Sequence, residues 1–142
     1  MAIAFHDHNV KSGLKDRRKL SAFLHTLIQD YRKIAKVKID YIFCSDEYLL
    51  EINQQFLQHD TYTDIITFDL SASDKELQGE IYISIDRVHE NAQRYAANYN
   101  EELHRVIFHG VLHLCGFQDK SKTAQEKMRE EENKCLAAYF RK

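Results

Sequence analysis

His109 and His113 stand four residues apart in the string HGVLHLCGFQD, with Gly116 and Asp119 following at intervals of three. Side chains four apart on a helix share one face, with Cβ atoms about 5–6 Å apart. Two imidazoles so placed can converge on one cation at about 2.0–2.1 Å each. Their neighbours Ile107, Phe108, Val111, Leu112 and Leu114 are apolar, so the helix is expected to run through the interior. Two buried imidazoles facing each other want a shared partner, and a metal supplies one. Gly116 is placed to end the helix in a left-handed C-cap. Asp119 can then return as a third ligand, leaving a fourth position for water, as in a catalytic zinc-type site.

The intervals match a metzincin helix whose last histidine has become Asp119. Zinc proteases place a glutamate directly after the first histidine to take a proton from metal-bound water. Here that place is held by Gly110, and nothing in the sequence names a substitute base. Glycine inside a helix costs about 1 kcal/mol relative to alanine, so Gly110 is expected to mark a close backbone approach.

The elements that must hold this helix can be read from periodicity. Leu20, Phe23, Leu24, Leu27, Ile28 and Tyr31 define an amphipathic helix over about residues 15–33. Val37, Ile39, Tyr41 and Phe43 alternate as a strand. Ser45 caps a helix carrying Leu49, Ile52 and Phe56. DIITF at 64–68 and GEIYISI at 79–85 read as strands joined by the polar loop SASDKELQ, and a helix over about 86–98 follows. Asn100 is expected to cap the motif helix, and Thr123-Ala-Gln-Glu126 to open the last one as a capping box. IAFH can add an N-terminal strand. The expected fold is α+β: one domain over 1–142, about four strands in a mixed sheet, about five helices, and no GxGxxG nucleotide loop.

A chain of 142 residues, 44% hydrophobic, can bury a core. Cys44, Cys115 and Cys135 form no CxxC pair and are odd in number, which fits a reducing compartment, and the N-terminus MAIAFHDHN is apolar for too few residues to be expected as a signal peptide or a membrane span. A cytoplasmic protein is expected. Net charge is −2, but residues 11–38 hold Lys11, Lys15, Arg17, Arg18, Lys19, Arg32, Lys33, Lys36 and Lys38 against Asp16 and Asp30. Such a face either follows phosphates or is simply solvated. His6, His8, His25, His59 and His89 have no ligand spacing; His104, five before His109, reads as a surface residue, and Cys115 as core packing.

HGVLHLCGFQD resembles the HGxLHLxGYDH signature of the YbeY family of bacterial endoribonucleases. Ile52-Asn53-Gln-Gln-Phe56, Asp60 and Thr63-Asp64-Ile-Ile-Thr-Phe68 are similar to the family's LNxxYRxxDxPTDVLSF. Gly79-Glu80-Ile81-Tyr-Ile83-Ser84 resembles its GDIxIS strand, and Met128 with Glu132 its closing MxxxE spacing.

The resemblance implies an α+β fold, one divalent metal usually assigned as zinc, and cleavage of single-stranded RNA in ribosomal RNA maturation and ribosome quality control. Partners would be ribosomal RNA or the small ribosomal subunit, and ribosome-assembly proteins, without a membrane. Metal ligands would be His109, His113 and Asp119, where the family has a third histidine; a harder, anionic ligand favours an oxygen-preferring ion such as manganese. Glu80 and Asp64 match acidic positions and are candidate catalytic groups, beside the plainer readings of a strand carboxylate and a turn cap. Lys11, Lys15, Arg17, Arg18, Lys19, Arg32 and Lys33 become the candidate RNA face. The family's arginine in LNxxYR falls on Leu57, which cannot hold a phosphate, and its proline on Tyr62. Three readings remain: a metal-dependent endoribonuclease, a non-catalytic metal-stabilised ribosome-assembly factor, and a metalloprotease.

Overall fold

The computed structural model describes residues 2–57 and 63–141, without the side chain of Leu57. Motif positions Asp60 and Tyr62, and also His59, lie outside the described residues. Strands β1 (Ala2–Asp7), β2 (Lys36–Cys44), β3 (Ile65–Asp69) and β4 (Glu76–Ser84) form one sheet in the order β1-β2-β4-β3. The first three in that order are parallel and β3 runs antiparallel to β4, so the sheet is mixed. Helices α1 (Arg17–Arg32), α2 (Asp46–Leu57), α3 (Ile85–Arg94), α4 (Tyr99–Leu114) and α5 (Lys122–Tyr139) complete the α+β fold.

The period-two pattern of β2 buries Val37, Ile39, Tyr41 and Phe43 and leaves Lys36 and Lys38 exposed. On α1, Leu20, Leu24 and Ile28 lie fully buried on one stripe; each such side chain contributes about 1.5–3 kcal/mol of transfer free energy. The larger core joins them to Ile81 and Ile83 of β4, Val88 of α3, and residues of α4 and α5. On the other sheet face, Leu49 and Ile52 of α2 pack with Ile66 and Cys44.

Helix α4 is pinned to the sheet at three points. A Cβ on Gly110 would stand 2.9 Å from Ile81 Cγ2 and 3.2 Å from Ile65 Cδ1. A Cβ on Gly79 would stand 2.9 Å from Leu114 Cδ1 and 3.0 Å from the Phe68 carbonyl. One turn before Gly110, the buried Tyr41 hydroxyl donates to the Ile107 carbonyl at 2.9 Å. Glycine therefore follows His109 because the helix touches β4 there, and a protease glutamate would have no room.

Several expected boundaries move. β4 begins at Glu76, inside the expected loop, because Lys36 to Lys38 of β2 extend far enough to pair with Glu76 to Gln78. α3 stops at Arg94, with Tyr95 as its C-cap and Ala96 left-handed at φ 53°. The cap of α4 is Asn98, not Asn100: its side chain accepts from the Glu101 amide at 2.7 Å. α5 is capped by Ser121, whose hydroxyl accepts from the Ala124 amide at 3.0 Å, so Thr123 lies inside the first turn. His104 is core, not surface; its ring is 3% exposed and stacks on Tyr139.

Candidate active site

α4 ends as the sequence requires. Gly116 has φ 108°, its amide donates to the His113 carbonyl and the Phe117 amide to the Leu112 carbonyl, a Schellman turn. The turn brings Asp119 back beside His109, with Nε2 3.2 Å from Asp119 Oδ2. On the other side of the ring, His109 Nδ1–H donates to Glu132 Oε2 at 2.7 Å. Glu132, on α5 and buried, accepts from Arg105 through its other oxygen at 3.1 Å, and Arg105 also donates to Asn133 at 2.8 Å.

His109, Asp119, Glu132 and Arg105 line a cavity of about 450 Å³ with Asp64, Asn91, Tyr95, Glu102, Gln125, Met128 and Arg129 among its walls. Four carboxylates (Asp64, Glu102, Asp119, Glu132) share the space with the guanidiniums Arg105 and Arg129. Burial alone would push the His109 imidazolium to lower pKa, but the Glu132 hydrogen bond and charge, then Asp119 and Asp64, outweigh it and raise the ring above its usual range. Burial raises the Asp64 carboxyl, against the pull of His109 and a hydrogen bond from Asn91 at 3.3 Å. Burial likewise raises Glu102, countered by Arg105.

The donor chemistry suits a cation. Glu132 fixes the His109 tautomer so that Nε2 faces Asp119, the arrangement in which a carboxylate orients a metal-binding histidine. Two donors each about 2 Å from one tetrahedral ion stand roughly 3.3 Å apart, close to the observed separation. The excess of carboxylates over guanidiniums is negative charge that a divalent ion would offset.

His113 is placed differently. It lines a neighbouring cavity of about 490 Å³ with Arg32, Thr67, Asp69, Cys115 and Gln118. Among the described residues, no three His, Cys, Asp or Glu groups stand together as a metal-holding set. Two of the three expected ligands thus meet, and the third sits one turn along α4.

Of the two catalytic candidates, Asp64 lines the His109 cavity and Glu80 does not. Ile81 faces α4, so the period of two turns Glu80 to the α2 side of the sheet, where it accepts from the Tyr82 hydroxyl at 3.2 Å. None of the seven basic candidates lines the His109 cavity. Lys11 and Lys15 lie in the β1–α1 loop, and Arg18 is in the first turn of α1. Arg17 pairs with Asp7 at 3.2 Å, Lys19 sits 4.7 Å over the Tyr139 ring, and Lys33 caps α1. Arg32 donates to the Leu114 carbonyl at 3.3 Å and borders the His113 cavity. Sequence reasoning missed Glu132 as a site group, along with Glu102, Arg105, Arg129 and Tyr95. Only Glu132 carried a signal, at one helical turn from the core residue Met128.

The model of the family described as Endoribonuclease YbeY matches residues 3–140. The chain belongs to that family. Its relatives named Endoribonuclease YbeY include one from Phocaeicola vulgatus, 54% identical over 135 residues, with 95% of this chain and 96% of that one covered. Those of Bacteroides thetaiotaomicron and Parabacteroides distasonis are 47% and 46% identical over 137 residues, each with 96% of this chain covered and 98% and 95% of theirs. A solution structure from Thermotoga maritima superimposes with a TM-score of 0.62 at 28% identity, covering 98% of this chain and 89% of its own. Family membership makes the chain a hydrolase of the endoribonuclease class and leaves the peptidase and non-enzymatic readings unsupported. Among the described residues, no helix is long and apolar enough to cross a membrane.

Proposed function

We propose that this chain is a metal-dependent endoribonuclease that cuts single-stranded RNA in ribosomal RNA maturation and ribosome quality control, with one divalent ion, zinc by family habit, held by His109, His113 and Asp119. The observation that carries the reading is the His109–Asp119 approach at 3.2 Å, with the far side of the ring fixed by buried Glu132. His113, four residues on along α4, would join the ion through another rotamer than the one that lines the neighbouring cavity. A divalent ion held there would polarise a phosphate oxygen or acidify a water for in-line attack.

The chain's own groups do the rest. Glu132 orients His109, and Arg105 holds Glu132 in place. Asp64, its carboxyl pKa raised by burial and its oxygen held by Asn91, takes a proton from the attacking water and returns it to the leaving oxygen in this reading, which its position in the His109 cavity supports. Lys11, Lys15, Arg17, Arg18, Lys19, Arg32 and Lys33 supply the positive face that draws RNA, and Arg32 borders the His113 cavity. Domain 1–142 acts in the cytoplasm with ribosomal RNA or the small subunit, and ribosome-assembly proteins, as partners.

The test incubates the native chain, its metal content assayed, with single-stranded ribosomal RNA, beside a His113→Ala preparation purified identically. Cleavage by the native chain alone is expected. Equal cleavage by both, or none by a chain carrying one metal, would overturn the reading.

A further inference from the structure

The family arginine that falls on Leu57 leaves open which group of this chain grips the substrate phosphate. The His109 cavity holds two guanidiniums, and they are not equivalent. Arg105 is committed to Glu132 at 3.1 Å and Asn133 at 2.8 Å. Arg129 is exposed, makes no salt bridge among the described residues, and lies one residue after the buried Met128 that seats α5. Its charge reaches the Glu102 carboxyl inside the cavity.

Tyr95 lines the same cavity from the end of α3. Its side chain is 58% exposed, and it stacks on no other ring among the described residues. The left-handed Ala96 turns the chain immediately after it, which holds the ring at the cavity rim and not along α3. α4 packs against α3 and α5 alike, so Tyr95 and Arg129 come from the two helices that flank the His109 helix.

We infer that Tyr95 and Arg129 form a nucleotide clamp for unpaired RNA at the mouth of the His109 cavity. The Tyr95 ring stacks on a base, and the Arg129 guanidinium, planar and forked, holds the adjoining phosphate. The inference deepens the endoribonuclease reading and rests on it. A base can lie on an exposed ring only when it is free of its own stack, so the clamp selects single strands over duplex. The phosphate enters a space otherwise rich in carboxylates, and of its two guanidiniums Arg105 is held in a salt bridge to Glu132 while Arg129 makes none among the described residues. A cavity of about 450 Å³ lies in the range that encloses a small ligand, here one nucleotide.

The test measures cleavage of a labelled oligo(A) RNA and its binding by fluorescence anisotropy, for the native chain, Tyr95→Leu, Tyr95→Phe and Arg129→Gln. Tyr95→Leu is expected to raise KM and Kd about 5-fold or more with kcat little changed, and Tyr95→Phe to restore most of the loss. Arg129→Gln is expected to flatten the dependence of log Kd on log salt by about 0.7, the contribution of one phosphate contact on a single strand. A merely structural role would not move that slope. Native cleavage with Tyr95→Leu matching it in KM and Arg129→Gln matching it in slope overturns the clamp alone. Failure of the metal-loaded native chain to bind or cut the RNA overturns the endoribonuclease reading and the clamp with it.

Discussion

Replacing Glu132 by glutamine changes one atom and tests how the site is held. Glu132 accepts two hydrogen bonds, from His109 at 2.7 Å and Arg105 at 3.1 Å, with its side chain 7% exposed. An amide can accept from only one of them. If its oxygen keeps Arg105, its NH2 faces His109 Nδ1, and the ring answers by moving its proton to Nε2, the nitrogen that faces Asp119. If its oxygen keeps His109, the NH2 group confronts a guanidinium. Removing one partner of a buried ion pair costs about 3–5 kcal/mol. Arg105 retains Asn133 at 2.8 Å and is 14% exposed, which brings the cost to about 2–3 kcal/mol. For a chain of this size that lowers the melting temperature by roughly 6–12 °C. Loss of the orienting carboxylate should also weaken metal binding about 10–100-fold. Calorimetry of the metal-free variant and competition with a chelating dye for zinc measure the two effects. A variant that melts within a degree of the native chain and binds zinc equally would refute the role given to Glu132.

Three further expectations can be checked by denaturation. His104 is held neutral by burial, with its folded pKa below the unfolded one, so its contribution to stability is present above about pH 6.5 and is lost as pH falls through the folded value. The urea midpoint of the native chain should therefore drop more between pH 7 and pH 5 than that of His104→Phe, which keeps the ring stack on Tyr139; parallel curves would contradict this. Gly110→Ala gains about 1 kcal/mol of helix propensity but drives a Cβ to 2.9 Å from the stiff, fully buried Ile81, so a net loss of about 1–2 kcal/mol is expected in urea titration. Ser121→Ala should cost about 1 kcal/mol as loss of the α5 cap, whereas Thr123→Ala should cost less; the reverse order would return the cap to Thr123.

The comparison of pattern with structure is uneven for physical reasons. The strand period of β2, the stripe on α1 as far as Ile28 and the Gly116 turn follow from local rules and form as expected, whereas Tyr31 at the end of the stripe is exposed. Caps were harder, because Asn98 and Asn100, or Ser121 and Thr123, are equally good cap types, and only the packing of the helix decides which amide is left free. His104 was misplaced because counting from His109 says which side of α4 it leaves, not that Tyr139 and Phe140 of the last helix cover that side. Glu80 and Asp64 were indistinguishable as acids in sequence; the sheet's alternation sends one to the α2 side, while the other stands at the start of β3 beside α4. Glu132, Arg105 and Arg129 reach the site from two different helices, and helical periodicity carries no information about which helices will be neighbours.

The central claim is that one ion at the His109 helix drives RNA cleavage. The most direct measurement strips the native chain of metal and follows the cleavage rate of single-stranded RNA as zinc or manganese is returned in fractions of an equivalent. The rate is expected to rise linearly from zero and level off at one ion per chain, with Asp119→Asn needing far more metal to reach its plateau. Cleavage at full rate by the stripped chain, or a titration that Asp119→Asn leaves unchanged, would contradict it.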